Sequence, residues 1–401
     1  MAKRARPLRF LFENSVFLVG GAAVGLLWAN LASDSYTRFV QLEILPGENG
    51  GNGLSLKDFV NDVLMALFFA LAAKEVWEAV LPGGALSNPR KAATPLLATI
   101  GGMAGPAAVY ILGVYFFAPG SDLMRGWAVP CATDIAFSYM VARLIFGPRH
   151  VAIPFLLLLA IADDALGLII LATVYPQGEP QLLWLLLSAA AVVLGLLFRR
   201  LRLQSFWWYL LGPGVLSWFG FHHAHVHAAL GLLPIIPTMP HAHTDLGLFV
   251  RQELGRKDTL SAFEHWWKNP VELILGLFGL TNAGVAFGSV GVGTYLVLAA
   301  LVVGKPLGIT LFTLLGEKVF KLEKPQGMNY RHVVSLGMIA GLGFTVALFM
   351  STAAFPEDEY PPQLLDSVKM GALLSFGVAF SSYVLSRLIG VKRERDEPTP
   401  P

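Results

Sequence analysis

Apolar runs long enough to cross a bilayer, at about 20 residues per span, recur along the chain and are cut by Gly/Pro and charge clusters. They predict about twelve helices. Six lie near residues 12–31, 58–80, 95–117, 124–146, 151–174 and 181–198, and six near 206–220, 223–237, 270–288, 293–316, 332–354 and 365–389. The seventh and eighth are short and meet near Phe221. Basic residues collect in alternate connections: Lys3 to Arg9, Arg90 and Lys91, Arg143 and Arg149, Arg199 to Arg202, Arg251 to Lys268, Lys318 to Arg331, and Arg387 to Arg395. The intervening connections hold only Arg38, Lys57 and Arg125. This asymmetry predicts an even helix number with both termini cytoplasmic.

The pattern makes residues 1–392 one all-α, polytopic transmembrane domain and 393–401 (RERDEPTPP) a polar, disordered cytoplasmic tail. Residues 32–57 form a long external loop, Gly-rich at its centre, that has room for a small hairpin and could mediate a homodimer. Residues 238–269 form the longest cytoplasmic loop. The basic-then-apolar N-terminus has a signal-peptide outline, but Glu13 and Asn14 interrupt it, so it reads as a first transmembrane helix.

Composition agrees. The 401 residues are 55% hydrophobic and 14% charged, with 41 glycines, and the mean hydropathy is +0.61. This is the polytopic membrane class, with lipid as surroundings. A net charge of +2 gives no sign of nucleic acid, and the single Cys131 excludes an internal disulfide or a cysteine-rich metal site. Nothing in the sequence calls for a cofactor.

Within this apolar chain three carboxylates need a reason: Asp134, Asp163 and Asp164. An acid at mid-bilayer depth costs roughly 2.5–3.5 kcal/mol on insertion scales, so such residues mark function. Two spans are also interrupted. The fourth has Pro130 ahead of Cys131-Ala132-Thr133-Asp134, and the eleventh has Gly341-Leu342-Gly343-Phe344-Thr345. Proline removes a backbone donor and glycine loosens a helix, which predicts unwound backbone lining a cavity. Consecutive helical positions point about 100° apart, so Asp163 and Asp164 take different surroundings. Lys305, alone in an apolar span, is the natural partner for one of them. Carboxylates with the Thr133 hydroxyl and freed carbonyls suit a hard cation such as Na⁺ or Li⁺, which makes Asp163, Asp164, Thr133 and Asp134 the candidate ion-binding and proton-carrying residues, with Asp163 and Asp164 the candidate metal ligands. If H⁺ competes for the same oxygens, alternate exposure of the site gives antiport.

The motifs NDVLMALFFAL (61–71), ATDIAF (132–137), AIADD (160–164), TNAGV (281–285), GKPLGI (304–309) and GLGFT (341–345) resemble NhaA-type sodium/proton antiporters in family order. Interrupted spans at corresponding places in two halves mark a transporter's mid-membrane site, and NhaA is itself an example of that rule. The resemblance implies inverted-topology repeats, broken and crossing fourth and eleventh helices, and exchange of two H⁺ for one Na⁺ or Li⁺. It also implies a bacterial inner-membrane location and a part in pH and sodium homeostasis. It assigns Asp164 as the ion ligand, Asp163 as the partner of Lys305, and Asp134 as compensation for facing half-helix dipoles. Lys305 supplies counter-charge and is proton-coupled. Glu75, His227 and Glu264 fall at positions linked to pH response, although the residues after Glu75 (Trp77-Glu78-Ala79) depart from the family's basic cluster.

A histidine tract alternates as His222, His223, His225 and His227, with His241 and His243 further on, and the predicted spans separate the two groups by the membrane. An intramembrane aspartyl protease needs two acids facing from different helices; the adjacency of Asp163 and Asp164 argues against it, and the chain is not read as an enzyme. The alternative to antiport is a Na⁺-coupled organic solute symporter of related fold, which needs a polar, aromatic-lined cavity.

Overall fold

The computed structural model describes residues 15–45, 53–241, 258–322 and 324–394. The basic N-terminal residues, the glycine-rich centre of the 32–57 loop, residues 242–257 with His243, and most of the 393–401 tail lie outside the described residues.

In chain order the longer helices are α1 Val16–Leu31, α2 Ser33–Val40, α3 Met65–Val80, α4 Pro89–Phe117, α5 Ile135–Phe146, α6 Ala152–Val174, α7 Leu185–Arg200 and α8 Val215–His223. They continue as α9 Thr259–Asn282, α10 Val292–Ala299, α11 Lys305–Lys318, α12 Tyr330–Ala340, α13 Phe344–Ala354, α14 Pro362–Leu374 and α15 Val378–Leu388. The expected hairpin is present as β1 Glu43–Leu45 paired antiparallel with β2 Leu54–Ser55. Among the described residues five stretches are long and apolar enough to cross a membrane: Ala92–Phe117, Ala152–Val174, Leu182–Arg200, Val292–Lys318 and Pro362–Leu388. Two bent pairs bring the number to seven. Outward side chains such as Leu186 and Val193 are exposed, which suits contact with lipid.

Two predicted elements take a different form. The eighth span is a pair of short 3₁₀ segments, Ala228–Leu230 and Leu233–Thr238, because Pro234 and Pro237 deny it a continuous α-helical ladder. The ninth helix begins eleven residues before the predicted 270, at Thr259. There Asp258 caps it by accepting from the Ser261 N–H at 2.7 Å, and Leu260 and Phe263 are buried despite polar neighbours.

The chain divides into two compact units, Met1–Ser87 with Leu168–Phe287, and Asn88–Gly167 with Gly288–Pro401. In the first, α1 lies along α9 with Gly21 against the Gly276 backbone. A core of Ala66, Ala70, Ala191, Phe206, Tyr209, Ile235 and Phe263 fills this unit. The second repeats one order of elements twice: a long helix, a broken span and a long helix. The first copy is α4, Asp122–Cys131 with α5, and α6 as far as Gly167; the second is α10 to α11, α12 with α13, and α14 to α15. Gly101 and Gly105 of α4 meet Gly304 and Gly308 so closely that a Cβ on Gly308 would strike the Gly101 carbonyl. This small-residue seam lets two backbones of the second unit approach each other.

Candidate functional site

Each broken span of the second unit bends by about the same angle, 50° between Asp122–Cys131 and α5 and 51° between α12 and α13. In the first, Ala132 and Asp134 are extended, and Asp134 becomes the N-cap of α5, its Oδ1 accepting from the Phe137 N–H at 3.2 Å. In the second, Gly341 to Gly343 separate the half-helices, with Gly343 close to the Ala132 carbonyl.

The breaks satisfy each other's orphaned backbone groups. Asp134 N–H donates to the Leu342 carbonyl at 2.6 Å. Thr133 Oγ1 lies 3.1 Å from the Ala340 carbonyl, and Ser138 Oγ donates to the Ile339 carbonyl at 3.1 Å. A helix leaves its last carbonyls without intrahelical donors; the Ser138 hydroxyl supplies one for α12, and the single Thr133 proton is shared between the Ala340 carbonyl and Asp163 Oδ2. The Asp134 carboxylate works at the opposite polarity. Its Oδ2 accepts from the Thr345 N–H at 3.4 Å and from the Thr345 hydroxyl, so one carboxylate serves the N-terminal turns of both α5 and α13. Anions are stabilised at helix N-termini, which explains why Asp134 is tolerated in a buried place.

On α6, Asp163 is 1% exposed and Lys305, the first residue of α11, is fully buried. Lys305 Nζ donates to Asp163 Oδ2 at 3.0 Å and to the Cys131 carbonyl. Thr133 Oγ1 reaches the same Oδ2 at 2.7 Å. A π-helical turn, Ala300–Gly304, precedes the lysine, a distortion frequent at functional sites. Asp163 Oδ1 is buried with no hydrogen-bond partner. Among the described residues no hydrogen bond or ion pair within 4 Å is formed by the Asp164 carboxylate, while its neighbour is engaged by both Thr133 and Lys305. The oxygen donors left over suit an alkali cation, a substrate that needs carboxylate and neutral oxygens. Cys131 Sγ packs against the Met103 and Trp127 carbonyls.

The positions tied to pH response fall in the first unit and do not form one group. Glu75 and Glu264 meet through Lys74, whose ammonium also contacts Glu78 at 2.5 Å and Glu75 at 3.5 Å. The sequence singled out Glu75 and Glu264 and missed Glu78; its (i, i+4) spacing from Lys74 was the available signal. His227 is buried elsewhere, with Nδ1 3.8 Å from Asp62 Oδ1, which also accepts from Gln177 Nε2 at 3.4 Å. Nearby, Asn61 and Asn282 exchange amide hydrogen bonds at 2.8 and 3.3 Å, so the NDVLM and TNAGV motifs meet there.

Crossed broken helices enclosing buried acids and a buried lysine define a membrane-spanning secondary ion transporter. The family model described as Na⁺/H⁺ antiporter 1 matches residues 9–386, and the chain belongs to that family. A relative from Jannaschia sp. (strain CCS1) called Na(+)/H(+) antiporter NhaA is 47% identical, covering 97% of this chain and 99% of its own. Relatives of the same name from Desulfitobacterium hafniense (strain DSM 10664 / DCB-2) and Geobacter sulfurreducens (strain ATCC 51573 / DSM 12127 / PCA) are 43% and 44% identical. They cover 99% and 98% of this chain, and 99% and 100% of their own. Among solved structures, the sodium proton antiporter MjNhaP1 from Methanocaldococcus jannaschii at pH 8 matches with a TM-score of 0.50 at 13% identity. It covers 97% of this chain and 95% of that one, a likeness of fold. The chain is thus a multi-pass Na⁺/H⁺ antiporter rather than an enzyme.

Proposed function

We propose that the exchange proceeds by competition of Na⁺ or Li⁺ with H⁺ at Asp164 and Asp163, two protons for one cation. The observation that carries this reading is the Asp164 carboxylate, without a hydrogen bond or ion pair among the described residues, beside Asp163, whose Oδ1 is orphaned and whose Oδ2 is held by Thr133 and Lys305.

Charge bookkeeping gives the stoichiometry. With Asp164 protonated and the Asp163–Lys305 pair intact, the site holds two exchangeable protons and is neutral. A cation taking Asp164 and the free oxygen of Asp163 displaces the first proton. It also weakens the hold of Asp163 on Lys305, whose buried ammonium then releases the second, leaving the loaded site at one negative charge. One net charge therefore moves per cycle, and each 100 mV contributes about 2.3 kcal/mol of drive. Asp134 and Thr345 hold the two breaks together during the cycle. Glu75, Glu264 and His227 contribute to its pH response. The cycle serves pH and sodium homeostasis in a bacterial inner membrane, both termini cytoplasmic.

Everted vesicles carrying a pH gradient test this: Na⁺ or Li⁺ should collapse the gradient and K⁺ should not. Absence of a response to Na⁺ and Li⁺, with the protein present in the membrane, would contradict the proposal.

A further inference from the structure

Two histidines outside the site meet at the ends of the helices that build it. His150 precedes α6, the helix of Asp163 and Asp164, and its Nδ1 accepts the Ala152 N–H at 3.0 Å. His332 lies in the first turn of α12, the half-helix that leads into the second break. Its Nδ1 accepts the Asn329 N–H at 3.4 Å, while Asn329 Oδ1 accepts from the His332 N–H at 3.0 Å, a reciprocal capping box. The imidazoles touch edge to face, with centroids 4.7 Å apart. Both lie against Phe146, the last residue of α5. The first turns of α6 and α12 and the last turn of α5 thus share one aromatic cluster. The Glu394 N–H closes it by donating to the Phe146 carbonyl at 2.8 Å.

A ring nitrogen that accepts a backbone N–H carries no proton, so both rings are neutral and protonated at Nε2. Adding a proton to Nδ1 turns that acceptor into a donor facing another donor. It also puts a cation at the positive end of a helix, where cations are disfavoured, and against a second imidazole. The groups facing His150 are His332 on α12, Phe146 on α5 and Glu394 on the C-terminal segment, and His332 also meets the Gly327 backbone; the cations adjacent in sequence are Arg149, Arg331, Lys392 and Arg393. Burial pushes the His150 imidazole below its ordinary value, with Glu394 pulling weakly the other way. The sign follows: the unfolded or released segment binds the proton more readily. The neutral cap is therefore complete above the ordinary histidine value of about 6.5 and is lost as pH falls below it.

We propose that His150 and His332 form a proton-operated cap on the exchanger. Neutral, the pair holds the first turns of α6 and α12 closed; protonated, it releases them and slows exchange. The effect on exchange rests on the reading that these helices carry the ion site.

The test is the double variant His150→Asn/His332→Gln. Asparagine still offers its Oδ1 to a backbone N–H two residues on, and glutamine is a standard third-position partner in a capping box, but neither titrates. Amide hydrogen exchange of segments 148–156 and 327–335 is followed in the purified protein without Na⁺, from about pH 5 to pH 8, the range a histidine spans. In the wild type, protection of both segments should fall together by about fivefold on the acid side, the opening expected for a lost cap. The variant should stay protected, and its Na⁺-driven exchange in proteoliposomes should persist to lower pH on the face bearing the C-terminal segment. Unchanged wild-type protection across this range would overturn the proposal, as would a variant that loses protection in the same way. A variant that keeps its protection while its exchange profile stays at the wild-type position would overturn the control of exchange. The hydrogen-exchange arm needs no transport, so failure of Na⁺/H⁺ exchange itself is read separately.

Discussion

At the scale of single residues, the division of labour between adjacent acids is set by what touches them. Asp163 is saturated on one oxygen by Lys305 and Thr133, and Asp164 is left open. A hydrogen bond to a charged group contributes about 1.5–3 kcal/mol, which is about tenfold or more in affinity. Thr133→Val, which keeps the shape and removes the hydroxyl, should therefore change the Na⁺ concentration for half-maximal exchange by at least about tenfold, with Thr133→Ser restoring it. An unaltered value in the valine variant would remove Thr133 from the site. These acids and the lysine were legible in the sequence because a charge in an apolar span demands explanation. Thr345 as a partner of Asp134, Glu78 as a partner of Lys74, and the His150–His332 contact were not legible. Each depends on which segments meet in space, and threonines and histidines carry no penalty conspicuous enough to flag them.

At the scale of elements, the breaks were announced by Pro130 and by Gly341 with Gly343, but the way they complete each other was not. Three donors of the first break meet carbonyls at the end of α12 or in its break, and Asp134 serves the starts of α5 and α13. Losing the Thr345 hydroxyl strips one donor from a buried carboxylate, so Thr345→Val should lower stability by about 1–3 kcal/mol, and Thr345→Ser should recover it. Thermal unfolding in detergent measures this; an unchanged midpoint would show that the contact is dispensable. Helix boundaries were read well where apolar runs end in Gly or charge, as for α6 and α7. They were read poorly where prolines punctuate an apolar run, as at Pro234 and Pro237, and where a capped polar turn extends a helix, as at Asp258.

At the scale of the whole molecule, the resemblance to sodium/proton antiporters was carried by motifs spread over nearly the full chain, and the family match over residues 9–386 agrees with it. The partition into two units was not foreseen, because each is assembled from discontinuous stretches and hydropathy reports only local sequence. The second unit contains Asp163, Asp164 and Thr133, proposed to form the cation's place, and Lys305, proposed to release the second proton, so the proposed exchange chemistry is assigned to one of the two units. The central claim is that one cation displaces two protons from this place. Calorimetric titration of the purified protein with Na⁺, repeated in buffers of different ionisation enthalpy, counts the protons released on binding. At a pH where the site is proton-loaded, the account predicts about two protons released per Na⁺ bound, and no Na⁺-linked release in Asp164→Asn. Sodium binding without proton release, or wild-type release from Asp164→Asn, would contradict it.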